Sequence, residues 1–265
     1  MIQSLESLRM FLQLDKSRLQ EISPGSFVDY NDERKKSSRI ELASAEGIIS
    51  KTKHRTYEKA LYEFLALEVW HELLKAYSKD NNLTFRAPRP IGFADSNSEN
   101  TSLLMEFING YELKKLCLMR RTTPVKIKGQ NYPLPLYPAC ALHLGALNRI
   151  KEEESLFHDD YDTRHILFSP VINVGIGLID VENTRLEPLD NLVSAESNSI
   201  WEQFKAKTSS PADLSVLETW YSQGREEIVR PDSSNRSDAI IERVSKKYNV
   251  ELDMVNKIIN GVHLQ

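Results

Sequence analysis

Between Thr56 and Tyr77 the apolar positions Leu61, Phe64, Leu65, Leu67, Val69, Leu73 and Leu74 follow helical spacing, with no Pro or Gly among them. This predicts one long helix with a broad buried face. The segments before it are short and of strand type: Phe27-Val28-Asp29-Tyr30, Arg39-Ile40-Glu41-Leu42 and Gly47-Ile48-Ile49-Ser50-Lys51. After it, Ala87-Pro88-Arg89-Pro90-Ile91-Gly92 marks a turn into a strand, and the apolar run Ser102 to Ile108 ends at Asn109-Gly110. A long helix set among short strands calls for a small sheet to cover it.

The second half reads differently. Residues Arg120 to Pro138 are rich in turn formers and predict an irregular excursion, then helical patterning returns from Ala139 to Ile150. Ile166-Leu167-Phe168 and Val174 to Val181 predict two short strands, and the chain from Ser194 onward is mostly helical, with a break around Pro231 to Asn235. One or two amphipathic helices are expected from Ile2 to Ile22. The expectation is an α+β chain of two parts, with leading helices, strands and the long helix in residues 1–108 and a mainly helical part with a hairpin in residues 109–265.

Composition narrows the partners. The 34 Lys and Arg against 38 Asp and Glu give a formal charge of −4, which offers no blanket basic surface for nucleic acid or anionic lipid. The two cysteines, Cys117 and Cys140, form neither a CxxC pair nor a spaced Cys/His set, so no zinc knuckle or disulfide scaffold is expected. Charges interrupt every apolar run near the start, and no run reaches the length of a membrane span, so a cytoplasmic protein is the expectation.

The polar residues that stand out are His158-Asp159-Asp160-Tyr161-Asp162-Thr163-Arg164-His165, followed by the apolar Ile166-Leu167-Phe168 and then by Gly177-Leu178-Ile179-Asp180-Val181-Glu182. Phosphoryl transfer from ATP needs a carboxylate at the acceptor hydroxyl, a second carboxylate and a neighbouring donor for a divalent ion, and a lysine on the donor phosphates. The kinase loop pattern H-R-D-L-x-x-x-N is matched at His158 and Asp160, with His165 at the Asn position. Lys51 ends a strand as the lysine of V-A-I-K does, with Lys53 as the fallback. Glu63, flanked by Leu61, Phe64 and Leu67, is a better partner for it than Glu58. Met105 to Gly110 resembles the strand and hinge that contact adenine, which makes Glu106 and Ile108 candidates for that contact.

From Leu142 to Glu182 the sequence resembles the aminoglycoside-phosphotransferase-like branch of the protein-kinase-like superfamily, where a helix leads to H-G-D-x-x-x-x-N and then to I-D-[FWY]-E. The resemblance implies a two-lobed kinase-like fold, ATP with Mg²⁺ as cofactors, Asp160 as catalytic base in the loop with His158, and Asp180 as principal metal ligand. His165 departs from the common Asn and is similar to the H-R-D-x-x-x-x-H pattern of lipopolysaccharide-core sugar kinases. Imidazole is softer than an amide oxygen, so Mn²⁺ enters as an alternative. The glycine-rich loop is missing, since only Gly25 and Gly47 lie between Ser23 and Lys51, and no G-x-x-x-x-G-K-[ST] loop occurs.

The resulting expectation is an ATP-dependent kinase acting on a hydroxyl of a small molecule. No A-P-E-like element follows Asp180 before Asp190-Asn191-Leu192, which argues against a long protein-substrate segment. The basic run Lys114, Lys115, Arg120, Arg121, Lys126 and Lys128 suits an acidic or phosphorylated acceptor. Rival expectations are a pseudokinase or binding module without turnover, supported by His165 and the missing glycines, and an atypical protein kinase.

Overall fold

The computed structural model describes residues 27–30, 38–43, 48–53, 57–97, 100–116, 125–127, 134–158, 161–170, 174–181, 184–186, 190–208 and 211–259. The helices expected before Ile22 lie outside these residues. In chain order the strands are β1 Phe27–Tyr30, β2 Ser38–Ala43, β3 Ile48–Lys53, β4 Phe85–Arg86, β5 Pro90–Asn97, β6 Asn100–Glu106 and β7 Tyr111–Glu112. They continue as β8 Leu156–His158, β9 Ile166–Ser169, β10 Gly175–Leu178 and β11 Thr184–Leu186. The helices are α1 Tyr57–Asp80, α2 Leu113–Leu116, α3 Leu136–Glu153, α4 Asp190–Thr208, α5 Pro211–Glu226, α6 Ser237–Tyr248 and α7 Leu252–Ile259. None is long and apolar enough to cross a membrane.

The chain divides into two compact units, residues 1–71 with 88–108 and 241–265, and residues 72–87 with 109–240. In the first, five antiparallel strands run in the order β1-β2-β3-β6-β5. The register sets Lys51 of β3 between Ile40 of β2 and Leu103 of β6, and a register shift bends β5 between Pro90 and Gly92. Helix α1 is buried at every position from Glu63 to Trp70, so it has no solvent face along that stretch. Phe64 carries much of this core, with its ring 5.4 Å from that of Phe93 and 5.3 Å edge-on from that of Tyr248 on α6. Burying each such Leu or Phe contributes about 1.5–3 kcal/mol.

The second unit holds a sheet ordered β4-β10-β9-β7, in which β4 runs parallel to β10 and the other pairs are antiparallel, and a ribbon of β8 with β11. The strand expected from Val174 to Val181 stops at Leu178. The N–H of Ile179 donates to the carbonyl of His165 at 2.9 Å, and Asp180 then takes φ 60°, which no strand continues through. Helix α3 is the centre of this unit, buried along most of its length. It crosses α5 at two glycines. A Cβ on Gly145 would lie 2.1 Å from the carbonyl oxygen of Tyr221, and one on Gly224 would lie 2.0 Å from that of Leu142.

Contact through backbone leaves no room for a methyl group. Gly145→Ala and Gly224→Ala are each expected to destabilise the fold by about 2–3 kcal/mol or more, read as a lower urea midpoint at unchanged m-value.

Candidate active site

In the first unit, β3 delivers Lys51 and α1 delivers Glu63. The Lys51 Nζ donates to Glu63 Oε1 at 2.6 Å, with the two side chains 10% and 3% exposed. A central strand flanked on both sides cannot move its lysine away, and the next side chain on the helix, Phe64, is locked against Phe93. The ammonium is therefore fixed by a charge-assisted bond in a nearly dry setting. For the fallback residues Lys53 and Glu58 only the backbone is described. At the end of β6 the N–H of Glu106 donates to the carbonyl of Arg89 at 2.9 Å, its side chain is exposed, and Ile108 is buried in a stretch without regular structure.

In the second unit, α3 leads through β8 into the loop and on to β9. The N–H of His158 donates to the carboxylate of Glu196 on α4, at 3.1 Å to Oε1 and 3.3 Å to Oε2. The N–H of Tyr161 donates to the carbonyl of His158 at 2.9 Å. Between them Asp159 and Asp160 lie outside the described residues. Asp162 accepts from the N–H and the Nε–H of Arg164 at 2.8 and 3.0 Å. Its partial burial pushes the carboxyl upward, and the Arg164 bonds overcome this and hold it below the usual range.

His165 is held by its N–H to the carbonyl of Asp162 at 2.9 Å, and its Nε2 lies 3.5 Å from Asp180 Oδ2. Asp180 reaches that position because its left-handed backbone turns the side chain at the strand end. His158 is wholly buried and its ring stacks at 6.2 Å on His165. Burial first, then the charge of Lys151, lowers its pKa to about 3 against the pull of Asp180, so its imidazole is neutral. Cys140, His143 and Asn148 of α3 are buried, and His143 packs edge-on against Phe168.

The pair brought together in this unit is thus Asp180 and His165. Among the described residues no group of three or more His, Cys, Asp or Glu is arranged to hold a metal ion. One carboxylate and one imidazole could supply two ligands to a divalent ion whose other ligands were water, and the nitrogen donor favours Mn²⁺ more than oxygen alone would. Sequence reasoning missed Glu196 and Lys151. Glu196 lies far along the chain from the loop it holds and has no motif of its own, while Lys151 looks like an ordinary charge near a helix end.

No family model matches the chain, and no curated protein matches it in sequence. Similar solved structures include WaaP in complex with acyl carrier protein, at 11% identity over 90% of this chain and 97% of that one, with a TM-score of 0.45. Monomeric WbdD is similar at 16% identity and a TM-score of 0.41; the match covers 72% of this chain and only 44% of WbdD. The autoinhibited serine kinase domain of the giant muscle protein titin is similar at 9% identity over 88% of this chain and 74% of that one, with a TM-score of 0.43.

Removing Glu63 takes its carboxylate from a buried ammonium. Glu63→Ala is expected to cost about 3 kcal/mol or more in urea unfolding, whereas Glu72→Ala on the same helix, where the carboxylate is partly exposed, is expected to cost under about 1 kcal/mol. An antiparallel sheet with its strand lysine tied to the long helix, followed in the chain by a helical unit with a polar loop and an acid-ended hairpin, gives this chain a protein-kinase-like fold of the α+β class.

Proposed function

We propose that the chain is an ATP-dependent phosphotransferase that moves the γ-phosphoryl group to a hydroxyl of a small molecule. The observation that carries this reading is the buried bond from Lys51 to Glu63, since a lysine fixed in that way on a central strand is what the donor phosphates require. Asp160 accepts the proton of the acceptor hydroxyl as its oxygen bonds to phosphorus and the bond to ADP breaks. Asp180 and His165 would hold the divalent ion, which would neutralise charge on the transferring group. His158, neutral and buried, holds the loop that carries the base.

An anionic acceptor, acidic or already phosphorylated, is supported by the position of α2. The N–H of its Lys114 donates to the carbonyl of Thr163 at 3.1 Å, which sets the exposed Lys114 beside the loop, while Lys115 next to it pairs with Glu112 at 2.7 Å. A second reading, a binding module without turnover, is favoured by the imidazole of His165 where an amide is usual.

Purified protein with ATP and either Mg²⁺ or Mn²⁺ tests the reading. A metal-dependent rise in melting temperature is expected; none with any nucleotide and metal would sink both ATP binding and transfer. Asp160→Asn should lower transfer by about 10³-fold and keep the nucleotide shift, and turnover that survives it removes Asp160 as the base. Asp180→Asn should abolish the part of the shift that depends on metal.

A further inference from the structure

The second unit contains a charged node that the reaction scheme above leaves unused. Lys151 of α3 is fully buried, and its Nζ pairs with Glu196 Oε2. The same ammonium sits 3.1 Å from the centre of the Tyr161 ring. Glu196 is the carboxylate that accepts from the His158 N–H. Tyr161 is tied from its other end, where its hydroxyl donates to Asn148 Oδ1 at 2.8 Å, and Asn148 in turn donates to the hydroxyl of Tyr221 at 2.9 Å and the carbonyl of Ser197 at 3.1 Å. Lys151 therefore touches what holds both residues flanking Asp159 and Asp160.

We infer that Lys151 is a positioning residue for the proposed transfer, fixing through Glu196 and Tyr161 the two ends of the segment that carries Asp160. This rests on the phosphotransferase reading. A neutral side chain at this place would take the ammonium away from Glu196, weakening the hold of that carboxylate on the His158 amide. Displacing the base by about an ångström costs on the order of a hundredfold in rate.

The groups facing the ammonium are Glu196 from α4, His158 and Tyr161 from the loop, Glu152 from its own helix with Arg225 of α5 paired to it, and Tyr221 of α5 through Asn148. Burial lowers the Lys151 pKa to about 8, with Glu196 pulling the other way. The folded value lies below the unfolded one, so the unfolded chain binds more protons between them. Stability from this group therefore rises with pH above about 8, while the charge that steadies Glu196 is lost over the same window.

The test uses the full chain, with ATP and Mg²⁺, reading ATP hydrolysis without acceptor and amide exchange at His158 to His165. Lys151→Met is expected to lose His158 amide protection and to lower kcat on the order of a hundredfold, with KM for ATP changed by less than about threefold. In the wild type, turnover should fall above about pH 8 while its stability margin over the variant grows. Unchanged protection and kcat in a folded Lys151→Met protein overturn the proposal, as does wild-type turnover that rises together with that margin. Where the single variant does not fold, Lys151→Met with Glu196→Gln removes both charges and keeps an acceptor oxygen for the His158 amide. Retained protection with the alkaline fall abolished supports the proposal, and an alkaline fall like that of the wild type overturns it. A wild type without ATP turnover sinks the phosphotransferase reading by itself, and His158 protection still decides whether Lys151 fixes the loop.

Discussion

A helix buried on all sides cannot leave a carboxylate unanswered, and that constraint organises the first unit. Glu63 and Glu68 both lie in the fully covered stretch of α1, and each is met by a lysine, Lys51 from β3 and Lys247 from α6. Removing either lysine leaves a buried carboxylate with little water to screen it. The sheet register and the docking of α6, with Tyr248 against Phe64, are thus coupled to the same helix. A side chain proposed for phosphate binding is positioned by the core itself.

The second unit solves the same problem with α3. Near its C-terminal end Lys151 and Glu152 turn inward and each finds a partner within the unit: Glu152 a two-point bond from Arg225 at 2.9 and 2.6 Å, and Lys151 the carboxylate of Glu196. Just beyond the helix, Glu154 accepts from the Tyr77 hydroxyl at 2.7 Å and the Ser237 N–H at 2.8 Å. Burial of the phenol, and then the charge of Glu154, drives the Tyr77 pKa far upward, so Tyr77 remains a donor. These bonds pin the end of α3 from which β8 and the loop depart. The close crossing at Gly145 and Gly224 fixes the other side of that helix against α5.

Much of this was legible from local pattern. The apolar periodicity of residues 56–77 matches α1, and the flanking apolar residues of Glu63 single it out as inward-facing. The segments at Phe27, Arg39 and Gly47 appear as strands because alternation and turn residues are short-range signals. Pairings between distant segments were not legible. Nothing around Glu196 or Lys247 shows that either meets a buried charge far along the chain, and Gly145 and Gly224 resemble ordinary helix glycines until two backbones are seen to touch. The β8–β11 ribbon was also missed, because three residues on each side are too few for a period to register. At Asp180 the apolar run suggested a longer strand than the backbone permits.

The left-handed backbone at Asp180 has a further meaning. A residue with a side chain is strained there by about 1 kcal/mol or more, and glycine would relieve it. Folding and the metal role proposed for Asp180 therefore ask for different residues at this one position. Variation filtered for backbone ease alone would drift towards glycine, whereas the proposed metal role would hold the carboxylate in place.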